Sequence, residues 1–209
     1  MARYIGPVCR LCRHAGEKVS LKGDRCFTPK CSVTRRSKGP GQTAGRRRAR
    51  LSDHAVQLIE KQKARYTYGM MERQFVRFFA EAQRLPGITS ENLVVLLERR
   101  LDNIVFRMGF ADSRAQARQL VRHGHIMLNG HKTNVPSYLV KEGDAITWRE
   151  GSTKTEYYKV LLQSIESKTI PNWLSLNKST LTGQVVSLPT SGDINTTFDG
   201  KNIVEYYSR

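Results

Sequence analysis

The chain has 209 residues, a hydrophobic fraction of 39% and a formal net charge of +17. That length allows one or two domains with a sizeable core, and so large a charge disfavours self-compaction and favours a polyanion such as nucleic acid or an acidic membrane surface. No apolar run reaches the roughly 18 residues of a membrane span, and the start lacks an apolar signal core, so neither a membrane protein nor an exported one is expected.

The charge is unevenly placed. Residues 1–50 hold 14 Lys+Arg against two acids, a net of +12, while 51–97 net +1, 98–149 net +4 and the last 60 residues balance. Anion binding is therefore expected in the N-terminal quarter and the centre.

All four cysteines lie in the first 34 residues, as Cys9-x2-Cys12 and Cys26-x4-Cys31. Two close pairs flanking a loop can close a tetrahedron of thiolates round one ion. Gly23 and Pro29 supply turns, and the few apolar residues here are too little to hold the segment without a staple. Zinc is the expected occupant, with a 4Fe-4S cluster as the alternative that spacing leaves open. Four thiolate ligands leave no open position for metal catalysis. Arg3, Arg10, Arg13, Lys22, Lys30, Arg35 and Arg36 surround the knuckle, and the stretch RRSKGPGQTAGRRRAR adds Arg46, Arg47, Arg48 and Arg50. Its Gly and Pro residues prevent a helix, so it is expected to order only against RNA, through phosphate neutralisation.

Leu51 and Val56 flank Ser52 as a staple and cap that open a helix running to about Tyr68. Gln62, Lys63, Arg65 and Tyr68 at its end are candidate contacts to a sugar–phosphate backbone. Met71, Phe75, Phe78, Phe79 and Ala82 define a second helix, to about Leu85, with a core stripe. Pro86-Gly87 ends it, and Thr89 or Ser90 caps the next.

In the centre, Leu97, Leu101, Ile104, Val105 and Met108 recur at helical spacing, and Gly109 stands where a left-handed cap is needed. Ser113 with Gln116 is a capping box that starts another helix. On it Ala117, Leu120 and Val121 form the buried arc, while Arg114, Arg118 and Arg122, four apart, line an arc expected to stay wet. Its N-terminus, at Ser113 and Arg114, suits a phosphate. Gly124 stops it, and Asn129-Gly130 turns a hairpin from Ile126 and Leu128. His123, His125 and Lys132 extend the basic strip, with only Asp102 and Asp112 between Arg99 and Lys132 to neutralise it.

Farther on, short strands are expected at 139–140 and at Ile146–Trp148. Thr153 with Glu156 reads as a capping box for a helix through Leu161 and Ile165. Strands are expected at 173–176, 184–188 and 203–207, with 189–202 as a polar loop.

The runs RLDNIVFRMGF and SRAQARQLVRHGHIMLNG resemble a small RNA-binding module, named after bacterial ribosomal small-subunit protein four, that many proteins borrow. MARYIGPVCRLCR, PGQ at 40–42, RLSDHAVQLIEKQKARYTYGMMERQF and EYYSR extend the resemblance to the whole family of that ribosomal protein, in its cysteine-containing form. TAGRRRA at 43–49 departs from the family's usual His-Gly pattern. The resemblance implies an α+β fold: a mainly helical domain with a metal-stapled basic N-terminal extension, and an inserted small antiparallel sheet with two helices. Its parts would be residues 1–50 (knuckle and Arg-rich loop), 51–97 completed by 190–209 (helical domain), and 98–189 (RNA-binding module).

The resemblance also implies early binding to a multi-helix junction of small-subunit rRNA and an effect on decoding accuracy. Arg46, Arg47, Arg48 and Arg50 would line the mRNA entry path, beside neighbouring ribosomal protein five, on the ribosome of a bacterium or an organelle. Two other readings compete. Arg100-Leu101-Asp102 matches a tripeptide of pseudouridine synthases, but the chain lacks the roughly 150 further residues of a catalytic domain, so no enzyme is expected. A free-standing RNA-binding chaperone of stalled ribosomes would be shorter and would not need the knuckle.

Overall fold

The computed structural model describes residues 3–36, 38–41 and 51–208. Arg46, Arg47, Arg48 and Arg50 lie outside the described residues. The chain divides into two compact units, one running to Val94 and resumed at Asn195, the other spanning Val95–Ile194.

The first unit contains α1 (Val8–Ala15), α2 (Ser32–Arg35), α3 (Asp53–Thr67), α4 (Glu72–Arg84) and most of α5 (Thr89–Glu98), and it is completed by the C-terminal helix. Ser52 caps α3, its Oγ accepting from Ala55 N at 3.3 Å. Leu51 and Val56 are both exposed, so no staple packs there. The α4 stripe buries Phe75, Phe78, Phe79 and Ala82, whereas Met71 is the exposed residue before the helix.

Residues 203–207 are not a strand. They belong to a helix, Gly200–Tyr207, which is α10 in the chain. A five-residue apolar run fits either period, and here the cap and the partners decide. Asp199 accepts from Lys201 N at 2.9 Å, Ile203 is fully buried, and Tyr207 stacks on Phe79 with ring centres 4.5 Å apart. Tyr207 also donates to Glu72 Oε1 at 2.9 Å, and Lys61 Nζ reaches the same oxygen at 2.7 Å. Burial alone would raise the Glu72 carboxyl, but these two hydrogen bonds together with the charges of Lys61 and Arg65 hold it below the usual carboxylate range. The same pairing pushes the Tyr207 phenol well up, with burial as the larger cause.

The second unit is α+β. It holds α6 (Leu101–Arg107), α7 (Arg114–Arg122), α8 (Glu150–Thr153), α9 (Glu156–Ser164) and a five-stranded antiparallel sheet. The strands are β1 (Ile126–Leu128), β2 (His131–Lys132), β3 (Ala145–Trp148), β4 (Leu174–Asn177) and β5 (Thr182–Val185), in the order β2-β1-β3-β5-β4. Asn129 and Gly130 both take positive φ (50° and 77°), as a two-residue hairpin requires. Gly109 caps α6 at φ 78°, where a Cβ would also crowd Lys168 and Ile165. One apolar core of Ile104, Val105, Phe110, Val121, Ile146 and Trp148 joins the helices to the sheet.

Three local readings change. The helical stripe through Leu97 and Leu101 is not one helix. Arg100 breaks it in extended conformation (φ −66°, ψ 136°) and pairs with Leu139, which is a single bridge and not a strand. Thr155, not Thr153, caps α9, accepting from Tyr158 N at 3.4 Å. The last strand of the sheet begins at Thr182 and ends at Val185, short of the expected Leu188.

Candidate nucleic-acid interface

Helix α7 is set by a reciprocal cap. Ser113 Oγ accepts from Gln116 N at 3.3 Å, and Gln116 Oε1 accepts from Asp112 N at 3.0 Å. Both side chains therefore serve the fold as well as lining the helix start.

The arginine row is not uniformly wet. A four-residue step on a helix turns about 40° past a full circle, so the row drifts away from the Ala117–Val121 arc toward its C-terminal end. Arg122 is exposed, Arg114 is half-buried and Arg118 is buried at 7% exposure. Arg118 is drawn inward by Asp102, with Nη1 2.9 Å from Oδ2. Arg100, fully buried, forks onto the same carboxylate at 3.1 and 2.8 Å. Asp102 is thus an interior counter-ion for two arginines. It is not a surface partner.

A second buried acid was missed from sequence. Glu98, fully buried, accepts Arg107 Nε at 2.8 Å on Oε2 and Arg107 Nη2 at 2.7 Å on Oε1. Asn103 donates to Glu98 Oε2 at 2.7 Å and accepts from Arg114 Nε at 2.7 Å. Arg114 Nη2 lies 3.9 Å from Glu98 Oε1, and its guanidinium stands over the Phe106 ring at 4.6 Å. Each buried acid thus holds two arginines. The available signal was a pair of acids, 98 and 102, at helical spacing beside an apolar stripe.

On the hairpin side His123 and Lys132 are exposed. His125 is half-buried with Nδ1 2.9 Å from Ser152 Oγ. Burial, with His123 and Arg149 nearby, lowers its pKa.

In the first unit Arg3, Arg10, Lys22, Lys30, Arg35 and Arg36 are exposed. Arg13 is half-buried and donates to the carbonyls of Lys38 and Gly39 at 3.1 and 3.4 Å. The candidates at the end of α3 divide. Gln62 and Arg65 are half-buried, with Arg65 Nη1 3.6 Å from Glu72. Lys63 is buried and paired with Glu60 at 2.7 Å and Glu17 at 2.9 Å. Tyr68 is also buried, edge-on to Phe198. Lys63 and Tyr68 are therefore not presented to a nucleic-acid backbone: the expected outer face of α3 is the side its neighbours cover.

Cys9, Cys12, Cys26 and Cys31 are free thiols that line one cavity together with Lys18, Lys22 and Arg25. Lys22 N donates to Cys26 Sγ at 3.3 Å. Among the described residues, no three His, Cys, Asp or Glu side chains are arranged to hold a metal ion. The donor set suits a thiolate-bound metal in kind. Burial pushes the Cys12 thiol up, whereas the Thr34 backbone N–H holds the Cys31 thiol below its ordinary value. No helix among the described residues is long and apolar enough to cross a membrane.

A helix–turn–helix–hairpin unit with exposed Arg122, His123 and Lys132, joined to a basic N-terminal unit, has the features of the RNA-binding class. The family model for the ribosomal protein S4/S9 N-terminal domain matches residues 3–98, and that for the S4 domain matches 99–146. A relative from Dehalococcoides mccartyi (strain CBDB1), "Small ribosomal subunit protein uS4", is 57% identical over 209 residues, covering 100% of both chains. Proteins of the same name from Halothermothrix orenii and Heliobacterium modesticaldum are 52% and 53% identical, again over 100% of each chain. The chain belongs to the uS4 family of small-ribosomal-subunit proteins.

Proposed function

We propose that this protein is an rRNA scaffold of the bacterial small ribosomal subunit, working in the cytoplasm and bound early to a multi-helix junction. Its basic N-terminal quarter, including Arg46, Arg47, Arg48 and Arg50, then lies beside the mRNA entry path and ribosomal protein five, where it contributes to decoding accuracy. The observation that carries this reading is the end-to-end match to small-ribosomal-subunit proteins, together with a basic face of exposed Arg122, His123 and Lys132 beside half-buried Arg107 and Arg114. A basic face of this kind suits phosphate. Relatives that match end to end under a ribosomal name favour this over a free-standing chaperone. The protein is expected to co-sediment with small subunits through moderate salt washes, and recovery only in free fractions would overturn the assignment.

The same proposal includes a metal at the knuckle. Cys9, Cys12, Cys26 and Cys31 would hold zinc, or a 4Fe-4S cluster in its place, and the metal would brace a segment with little apolar core. Purified protein should carry about one zinc or one cluster per chain. Metal-free preparations with four reactive thiols and an unchanged fold would refute it.

A further inference from the structure

We propose that Glu98 is a positioning residue for RNA binding and that Arg107, which the basic strip did not include, works with Arg114 as a two-guanidinium phosphate clamp seated on it. The inference rests on the rRNA-binding reading above and names part of the contact surface.

The geometry is specific. Glu98 is 0% exposed, and its side chain accepts from both nitrogens of the Arg107 fork at 2.8 and 2.7 Å. Arg114 approaches the same Oε1 at 3.9 Å and is fixed from two other directions, by Asn103 Oδ1 at 2.7 Å and by the Phe106 ring. Asn103 in turn donates to both the Glu98 carbonyl (3.0 Å) and its carboxylate (2.7 Å), so one amide orients acid and arginine together. The two guanidinium groups thus share one anchor, and the side chains keep 24% and 19% of their surface in solvent.

One buried negative charge under two arginines is a poor way to stabilise a helix junction, because an apolar side chain of the same volume would spare the desolvation cost. It is a good way to hold two planar donors at a fixed spacing. Arginine loses rotamer entropy when it binds a phosphate, and a pre-fixed pair has already lost it. An accidental ion pair would not need the Asn103 bridge or the Phe106 platform.

Charge counting separates positioning from plain electrostatics. Glu98→Gln raises the net charge by one and should tighten RNA binding if only charge matters. If the acid positions the clamp, affinity for small-subunit rRNA falls by about tenfold despite the added positive charge. Glu156→Gln is the control: the same charge change on an exposed residue paired with Lys159, and it should leave affinity unchanged or slightly tighter. Arg107→Lys keeps both the buried acid and the charge but loses the fork, and it should weaken binding by about tenfold as well. It carries the test independently of how well the Glu98 variant folds.

The full chain is titrated against small-subunit rRNA well below each variant's melting temperature, with circular dichroism confirming an unchanged fold. Glu98→Gln binding as tightly as Glu156→Gln, or Arg107→Lys binding as tightly as the parent, would overturn the inference. Failure of the parent chain itself to bind rRNA would instead overturn the reading on which the inference rests.

Discussion

Asp102→Ala is expected to cost the second unit about 3–5 kcal/mol, a large fraction of a domain's stability. The carboxylate is 4% exposed and serves Arg100, itself 0% exposed, and Arg118 at 7%. Removing it takes a carboxylate from two arginines whose side chains are almost wholly buried. Arg100 cannot swing out, because its backbone is pinned in extended conformation by the bridge to Leu139 and by the bond from Ile104 N to its carbonyl at 2.9 Å. Asp102→Asn keeps the shape and one acceptor oxygen and should recover only part of the loss. Denaturant unfolding measures both. A change below about 1 kcal/mol for the alanine variant would mean that the arginines find water, and the buried cluster would have to be redrawn.

Ending the chain after Phe198 is expected to unfold the first unit while sparing the second. The deletion removes Ile203, fully buried, and the Tyr207 ring stacked on Phe79. It also removes the bond from Gln57 Nε2 to Glu205 at 2.8 Å, the cap that Asp199 N makes to Glu60 at 2.9 Å, and the phenol on Glu72. Loss of one buried Ile side chain alone costs about 2–5 kcal/mol, and several such losses exceed what a small unit can spare. Hydrogen exchange should show protection in α3 and α4 collapsing while α6, α7 and the sheet stay protected. Equal loss in both units, or none, would contradict the division at Val94 and Asn195.

Much of the second unit was legible because its signals are local. Gly109, the Ser113–Gln116 cap and Asn129-Gly130 each impose a backbone geometry on their own few residues, and each stands where the sequence puts it. Three features depended on partners distant in sequence. The C-terminal segment became a helix because Phe79 and Glu72 receive it. The helix through residue 100 broke because Leu139 takes the Arg100 backbone. The arginine row sorted itself by burial because Asp102 and Glu98 reach it from another element, a step that helical periodicity cannot foresee. One consequence concerns mutagenesis: Arg118→Glu would place a second acid against Asp102, so weaker RNA binding by that variant would report a damaged fold and not a lost phosphate contact.

The same limit applied to the first unit. Lys63 and Tyr68 have the composition of surface RNA contacts, yet Glu17, Glu60 and Phe198 close over them. The cysteine spacing was explicit in the sequence, and the four thiols do line one cavity.

The central claim is that a built-in excess of positive charge grips folded RNA. It is tested most directly by equilibrium binding of the full chain to small-subunit rRNA across a salt series. The account predicts an affinity that falls by about a thousandfold or more between about 50 and 200 mM monovalent salt, as release of counterions from six or more phosphates requires. An affinity nearly independent of salt would contradict it.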